Sequence, residues 1–172
     1  MENMEHIGQI HLTTNRVVVA DPCYGRNTVN DKNLACKVDL LRSGAYDAYI
    51  GRCEDDDRIA NLCIVVAGTN IEDVCYGDWE LGQAAVDSGT CGIFDNNYHK
   101  ETHYDNNADD DWYDKFVMGE DGSCPELNIT DNKGVLSSSG YGDGCYPVFV
   151  VTDQHGNEMG ICVEYIYEGY EN

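Results

Sequence analysis

The amino-acid sequence predicts a β-rich α+β fold, a compact antiparallel β-sandwich or half-barrel with one or two short helices, and three observations point there. Short segments dense in Val, Ile, Leu and Tyr recur along the whole chain, each bounded by Gly, Asn or Asp. Their apolar residues alternate or run on for only a few positions, the pattern of half-buried and fully buried strands. Only three prolines occur in 172 residues, and no repeat, low-complexity linker or compositional break divides the chain, so a single domain over 1–172 is expected.

In chain order, strands are expected in QIHLTTNRVVVA (9–20), ACKVDLL (35–41), AYDAYIGRC (45–53), RIANLCIVVAG (58–68), CGIF (91–94), YPVFVVT (146–152) and MGICVEYIY (159–167). LLRSGAYDAY and VTDQHGNEM read as hairpins, the second because His155, Gly156 and Asn157 tolerate positive φ. EDDD at 54–57 reads as a solvated hairpin tip, since it lacks the alternating ligands and bidentate Glu of a calcium loop. The best helix candidate is NNADDDWYDKFVMG (106–119). There Asn107 can cap, Asp109, Asp110 and Asp111 fall in the first turn where the helix dipole favours negative charge, and Trp112 and Phe116 share one face before Gly119. A shorter helix is expected over WELGQAAV (79–86).

Charge is the compositional outlier: 32 acidic residues against 10 basic ones give −22. With 42% hydrophobic residues and 12 Tyr the chain can still build a core, so disorder is excluded and the charge belongs on the surface. Such a surface repels nucleic acid and anionic membranes and attracts cations or basic proteins. The opening MENMEHIGQIHL has neither a basic nor an apolar signal region, and no run approaches transmembrane length. A cytoplasmic protein of a bacterial host, without membrane association, is expected. Nine cysteines, an odd number, with no signal peptide point to reduced thiols, some able to ligate metal. Cys63 and Cys162, inside apolar runs, are expected as plain core residues.

Three segments attach an Asp and a Cys to the end of an apolar run: VVVADPCYG (17–25), AAVDSGTCGIFD (84–95) and SSSGYGDGCYPVFVV (137–151). If they converge, Asp21, Cys23, Asp87, Cys91, Asp143 and Cys145 offer carboxylates and thiolates suited to zinc. Asp95, His99 and His103 follow closely, and a helix would put both imidazoles on one face, although the Asn-rich stretch also reads as loop. The competing reading is structural, because Asp-Pro and Gly-Asp-Gly are sequences in which Asp21 and Asp143 would accept turn N–H bonds. No C-x-x-C pair, nucleophile elbow, Walker lysine motif, dinucleotide fingerprint or H-E-x-x-H occurs. A cysteine nucleophile paired with His99, His103 or His155 is the catalytic alternative.

The strand leading into ADPCYG, the later VDSGTCGIFD, and GYGDGCYPVFV followed by the DQHGNEMGICVEY hairpin resemble the bacterial and phage-borne family catalogued as domain of unknown function 4241, from about residue 10 to 167. The resemblance implies a compact β-rich domain with the three segments gathered at one edge. It implies no reaction.

Function is therefore expected from the charge. Dense carboxylates on a rigid β scaffold can imitate the phosphates of DNA and occupy the Lys/Arg channel of a nuclease, restriction enzyme or CRISPR effector. The expected protein is an acidic inhibitor, in its concrete form a phage-borne anti-CRISPR or anti-restriction factor, that binds a basic partner without catalysis. Candidate contacts are Asp55, Asp56 and Asp57, and Asp109, Asp110 and Asp111 beside Tyr104, Trp112 and Tyr113, aromatic types that anchor interfaces. The alternative is a metal-binding or cysteine-dependent domain with its site at the three Asp/Cys segments.

Overall fold

The computed structural model describes residues 1, 3–25, 31–102, 117–118 and 125–167. Its strands are β1 (Glu5–Leu12), β2 (Arg16–Ala20), β3 (Cys36–Asp39), β4 (Gly44–Arg52), β5 (Ile59–Val66), β6 (Val74–Val86), β7 (Thr90–Asp95), β8 (Leu127–Thr130), β9 (Gly134–Ser138), β10 (Gly144–Asp153) and β11 (Glu158–Glu164), and among the described residues the one α-helix is α1 (Asn96–Thr102). They form two open antiparallel sheets, ordered β1-β4-β5-β11-β10-β6 and β3-β2-β7-β9-β8.

The sheets share one apolar core. Ile10, Tyr46, Ile64, Val148 and Ile161 come from the first sheet and Val17, Val19, Val38, Ile93 and Val135 from the second. Both outer faces are partly covered as well. On the first sheet Tyr49, Cys63, Val65, Val74, Val151 and Cys162 form a second cluster under Met1, Met4 and Ile71. On the second sheet Phe94, Tyr98, Val117 and Leu136 pack together. The near-continuous apolar runs of β5 and β7 follow from this burial on both faces.

Several expectations are corrected. QIHLTTNRVVVA is two strands in different sheets, because the Asp95 carboxylate accepts the Thr13 and Thr14 N–H groups at 2.7 and 3.0 Å and fixes a corner between them. LLRSGAYDAY is a crossover and not a hairpin: β3 pairs with β2, whereas β4 pairs with β1 and β5. WELGQAAV is no helix but the end of β6, because its backbone groups pair along β10, and pairing between distant segments outweighs local helix propensity. The VTDQHGNEM hairpin is present between β10 and β11, and Asp153 Oδ1 accepts the His155 and Asn157 N–H groups at its turn. EDDD lies at the tip of the β4–β5 hairpin. The expected helix at 106–119 lies outside the described residues except for Val117 and Met118.

Cys63 and Cys162 are not separate core thiols. Partnered across β5 and β11 with Cα atoms 4.1 Å apart, they form a disulfide. The sequence hides this pair because 99 residues separate the two cysteines and only the strand register brings them together.

Candidate functional site

The three Asp/Cys segments meet at one edge. Asp21 directly follows β2 of the second sheet and its side chain is fully buried. One carboxylate oxygen accepts the Cys23 N–H and the Ser88 hydroxyl, both at 2.8 Å. The other accepts the Asp87 and Ser88 N–H groups at 2.8 and 2.7 Å. Asp21 thus ties the first segment to the turn between β6 and β7. The third segment joins when Ser139 N–H donates to Gly89 O at 3.0 Å, and when Gly144 and Cys145 pair with Val86 and Ala85. Gly89 and Gly142 face one another here at φ +70° and +108°, backbone geometry that a side chain would strain.

The chemistry of this edge is quiet. Burial, reinforced by Asp21 and Asp87, pushes the Cys23 thiol up to about 12, and burial does the same to Cys91. Thiols so raised hold almost no nucleophilic thiolate at neutral pH. Asp87, Asp143 and Cys145 face solvent, and Tyr24 donates its hydroxyl to Asp87 at 2.8 Å. Among the described residues no three His, Cys, Asp or Glu side chains are arranged to hold a metal ion.

The histidines lie elsewhere. His99 is buried in α1, 5.7 Å from the Phe94 ring, and α1 follows the opposite end of β7 from Cys91. His155 sits at the far end of β10 from Cys145, and His103 lies outside the described residues. Asp95 caps α1, accepting the Asn97 and Tyr98 N–H groups at 2.9 and 3.0 Å while it holds the Thr13–Thr14 corner.

The same edge is strongly acidic. Asp55, Asp56 and Asp57 are exposed at the β4–β5 tip, and Arg58 links that tip to the third segment. Its guanidinium pairs with Asp56 at 2.8 Å, donates to Gly140 O at 3.3 Å and lies 5.0 Å above the Tyr141 ring. Tyr141, 69% exposed, is therefore linked through Arg58 to Asp56 at the tip, and exposed Asp143 follows it by two residues. Arg52 is occupied locally, gripping Glu126 at 2.8 and 3.1 Å and holding that carboxyl below its usual range. The expected contacts Tyr104, Asp109, Asp110, Asp111, Trp112 and Tyr113 lie outside the described residues. Tyr141 was not among the expected contacts, although its place between two glycines in a polar loop marks an exposed aromatic.

An antiparallel two-sheet protein with an acidic, aromatic-centred edge is the class that fold and site define. A family profile described as protein of unknown function (DUF4241) matches residues 65–163, from the end of β5 to β11, and the chain belongs to that family. No curated protein and no solved structure matches the chain.

Proposed function

We propose that this protein is a non-catalytic binding protein that docks a basic partner on the edge formed by the β4–β5 tip and the Gly140–Gly144 loop. The observation that carries the reading is Tyr141, a solvent-exposed aromatic under Arg58, which itself pairs with Asp56 of the exposed acidic tip, on a chain of charge −22. Tyr is a frequent interface anchor, and like charges around it steer a basic surface while rejecting acidic ones. The scaffold suits the role: a sandwich-like pair of sheets with a shared core presents the carboxylates at fixed spacing. Partners of matching chemistry are the Lys/Arg channels of nucleic-acid enzymes, so a nuclease or CRISPR effector of a bacterial host, blocked stoichiometrically in the cytoplasm by a phage-borne inhibitor, is the concrete form.

A pull-down from bacterial lysate at low and high salt, followed by mass spectrometry, tests the reading. Recovery of a basic nucleic-acid enzyme at low salt that is lost in Tyr141→Ala supports it. Recovery of no basic protein at low salt, or inhibition that persists far below stoichiometric amounts, defeats it.

A further inference from the structure

The outer face of the first sheet carries a cleft of about 290 Å³ that is separate from Tyr141 and Asp143. Its floor is a row of partnered residues: Gly51 on β4 opposes Asn61 on β5, and Asn61 opposes Glu164 on β11. Gly51 lets the Asn61 carboxamide lie over β4, since a Cβ there would stand 2.5 Å from Asn61 Oδ1. Tyr76 from β6 supplies a wall, propped edge-on by Phe149 at 5.5 Å and with its hydroxyl 3.7 Å from the Cys162 Sγ of the disulfide. Met4 and Ile166 add apolar surface.

Two acceptors in this cleft have no donor among the described residues. Asn61 Oδ1 is buried and receives no hydrogen bond from the described residues. Burial pushes the Glu164 carboxyl up, and among the described residues no donor or cation offsets the cost. Arg52 also lines the cleft, but its guanidinium is occupied by Glu126 and by the Asp57 carbonyl, the latter at 2.9 Å. An unpaired amide oxygen and a partly desolvated carboxylate are both costly until a donor reaches them. An aromatic wall adds attraction for a cation.

We propose that this cleft binds a small organic cation: a primary ammonium group directed to Glu164 and Asn61, on a short apolar or aromatic body lying against Tyr76, Met4 and Ile166. The volume falls at the lower end of ligand pockets, which begin near about 300 Å³, so the ligand is a metabolite-sized amine and not a peptide. The Glu164 charge selects for the ammonium, and the Tyr76 wall selects for the body.

Calorimetric titration of the full chain with tyramine, at about 0.15 M salt to screen the general surface charge, tests the site. 4-Ethylphenol is the probe that lacks only the ammonium arm's charge and donors, and putrescine is the probe that lacks the ring. Saturable tyramine binding at a single site is expected, weakened about tenfold or more by Glu164→Gln. It should be unchanged by Glu101→Gln on the exposed side of α1, and absent for 4-ethylphenol. Glu164→Gln preserves shape and removes a desolvated charge, so its melting curve and circular dichroism should show an intact fold. Equal tyramine affinity in wild type and Glu164→Gln, equal weakening by Glu101→Gln, or equal binding of 4-ethylphenol would overturn the proposal. So would the absence of saturable binding by both tyramine and putrescine at millimolar concentration.

Discussion

Two buried aspartates, Asp21 and Asp95, do the same physical work at opposite ends of β7. Each carboxylate collects backbone N–H groups from segments far apart in sequence and so closes a corner that no ladder hydrogen bond reaches. Removing such an acceptor strands several buried donors, so Asp21→Ala should cost about 3 kcal/mol or more in urea unfolding. Asp21→Asn should not restore stability, because its NH₂ would point at N–H donors. A loss below about 0.5 kcal/mol would mean that Asp21 is not the staple described. The cysteines give a second residue-scale prediction. Denatured, unreduced protein should titrate at most seven of the nine thiols, since two are in the disulfide, and reduction should lower stability by about 3–5 kcal/mol through the long loop that the bond closes. In the native state iodoacetamide should label exposed Cys145 well before Cys23, whose raised pKa leaves little thiolate.

At the scale of elements, β5 and β11 carry both the disulfide and the cleft floor, so their outer face alternates between closed and open ground. Around Cys63 and Cys162 the sheet is sealed by Met1, Met4 and Ile71, whereas two residues along each strand, at Glu164 and at Asn61 lying over Gly51, the cleft opens. Glu164 therefore makes the stability of this element pH-dependent. Its folded-state pKa is raised above the unfolded value by burial, so the folded chain binds that proton more tightly. The favourable contribution is complete below the unfolded value and disappears as pH rises through the folded one. Tyr76, Arg52 and Glu54 line the same cleft, and only the negative charges among them would sharpen the effect. Glu164→Gln should accordingly raise the melting temperature at about pH 8 and leave it unchanged at about pH 4, below the ordinary Glu value. Equal shifts at both pH values would show that the carboxyl is not desolvated in the folded chain.

For the whole molecule the governing fact is the excess of carboxylates, with several of the few cations held in local pairs: Arg16 with Asp39, Arg52 with Glu126 and Arg58 with Asp56. Exposed pairs of this kind add little stability but remove positive points from the outward field. Association with a captured basic partner should then be fast and strongly salt-dependent. Replacing Asp55, Asp56 and Asp57 together with Asn should slow association about tenfold and flatten its salt dependence, with dissociation little changed. Tyr141→Ala should do the reverse, raising the dissociation rate about tenfold or more, as loss of an interface anchor does. Stopped-flow or surface-binding kinetics separate the two. If the Asn triplet binds as fast as wild type at low salt, the tip is not the docking surface, and Asp109, Asp110 and Asp111 beside Trp112 become the acidic segment to replace next.

The sequence by itself determined the β-rich class, most strand positions, the β10–β11 hairpin and the acidic tip at 54–57, because period-two burial and turn-forming residues are local properties, whereas the gathering of the three Asp/Cys segments was implied only by the family resemblance. It also left open whether Asp21 was a ligand or a turn acceptor, and the tertiary structure commits both of its oxygens to N–H and O–H donors. Only the tertiary structure decided which sheet each strand joins, that 79–86 extends as β6, and that Cys63 meets Cys162. It alone set Tyr141 against Arg58 and lined Gly51, Asn61 and Glu164 into one floor. Each of these depends on register between strands far apart along the chain, and register is fixed by the fit of a shared core and by loop-bridging carboxylates, neither of which leaves a periodic signal in any one segment.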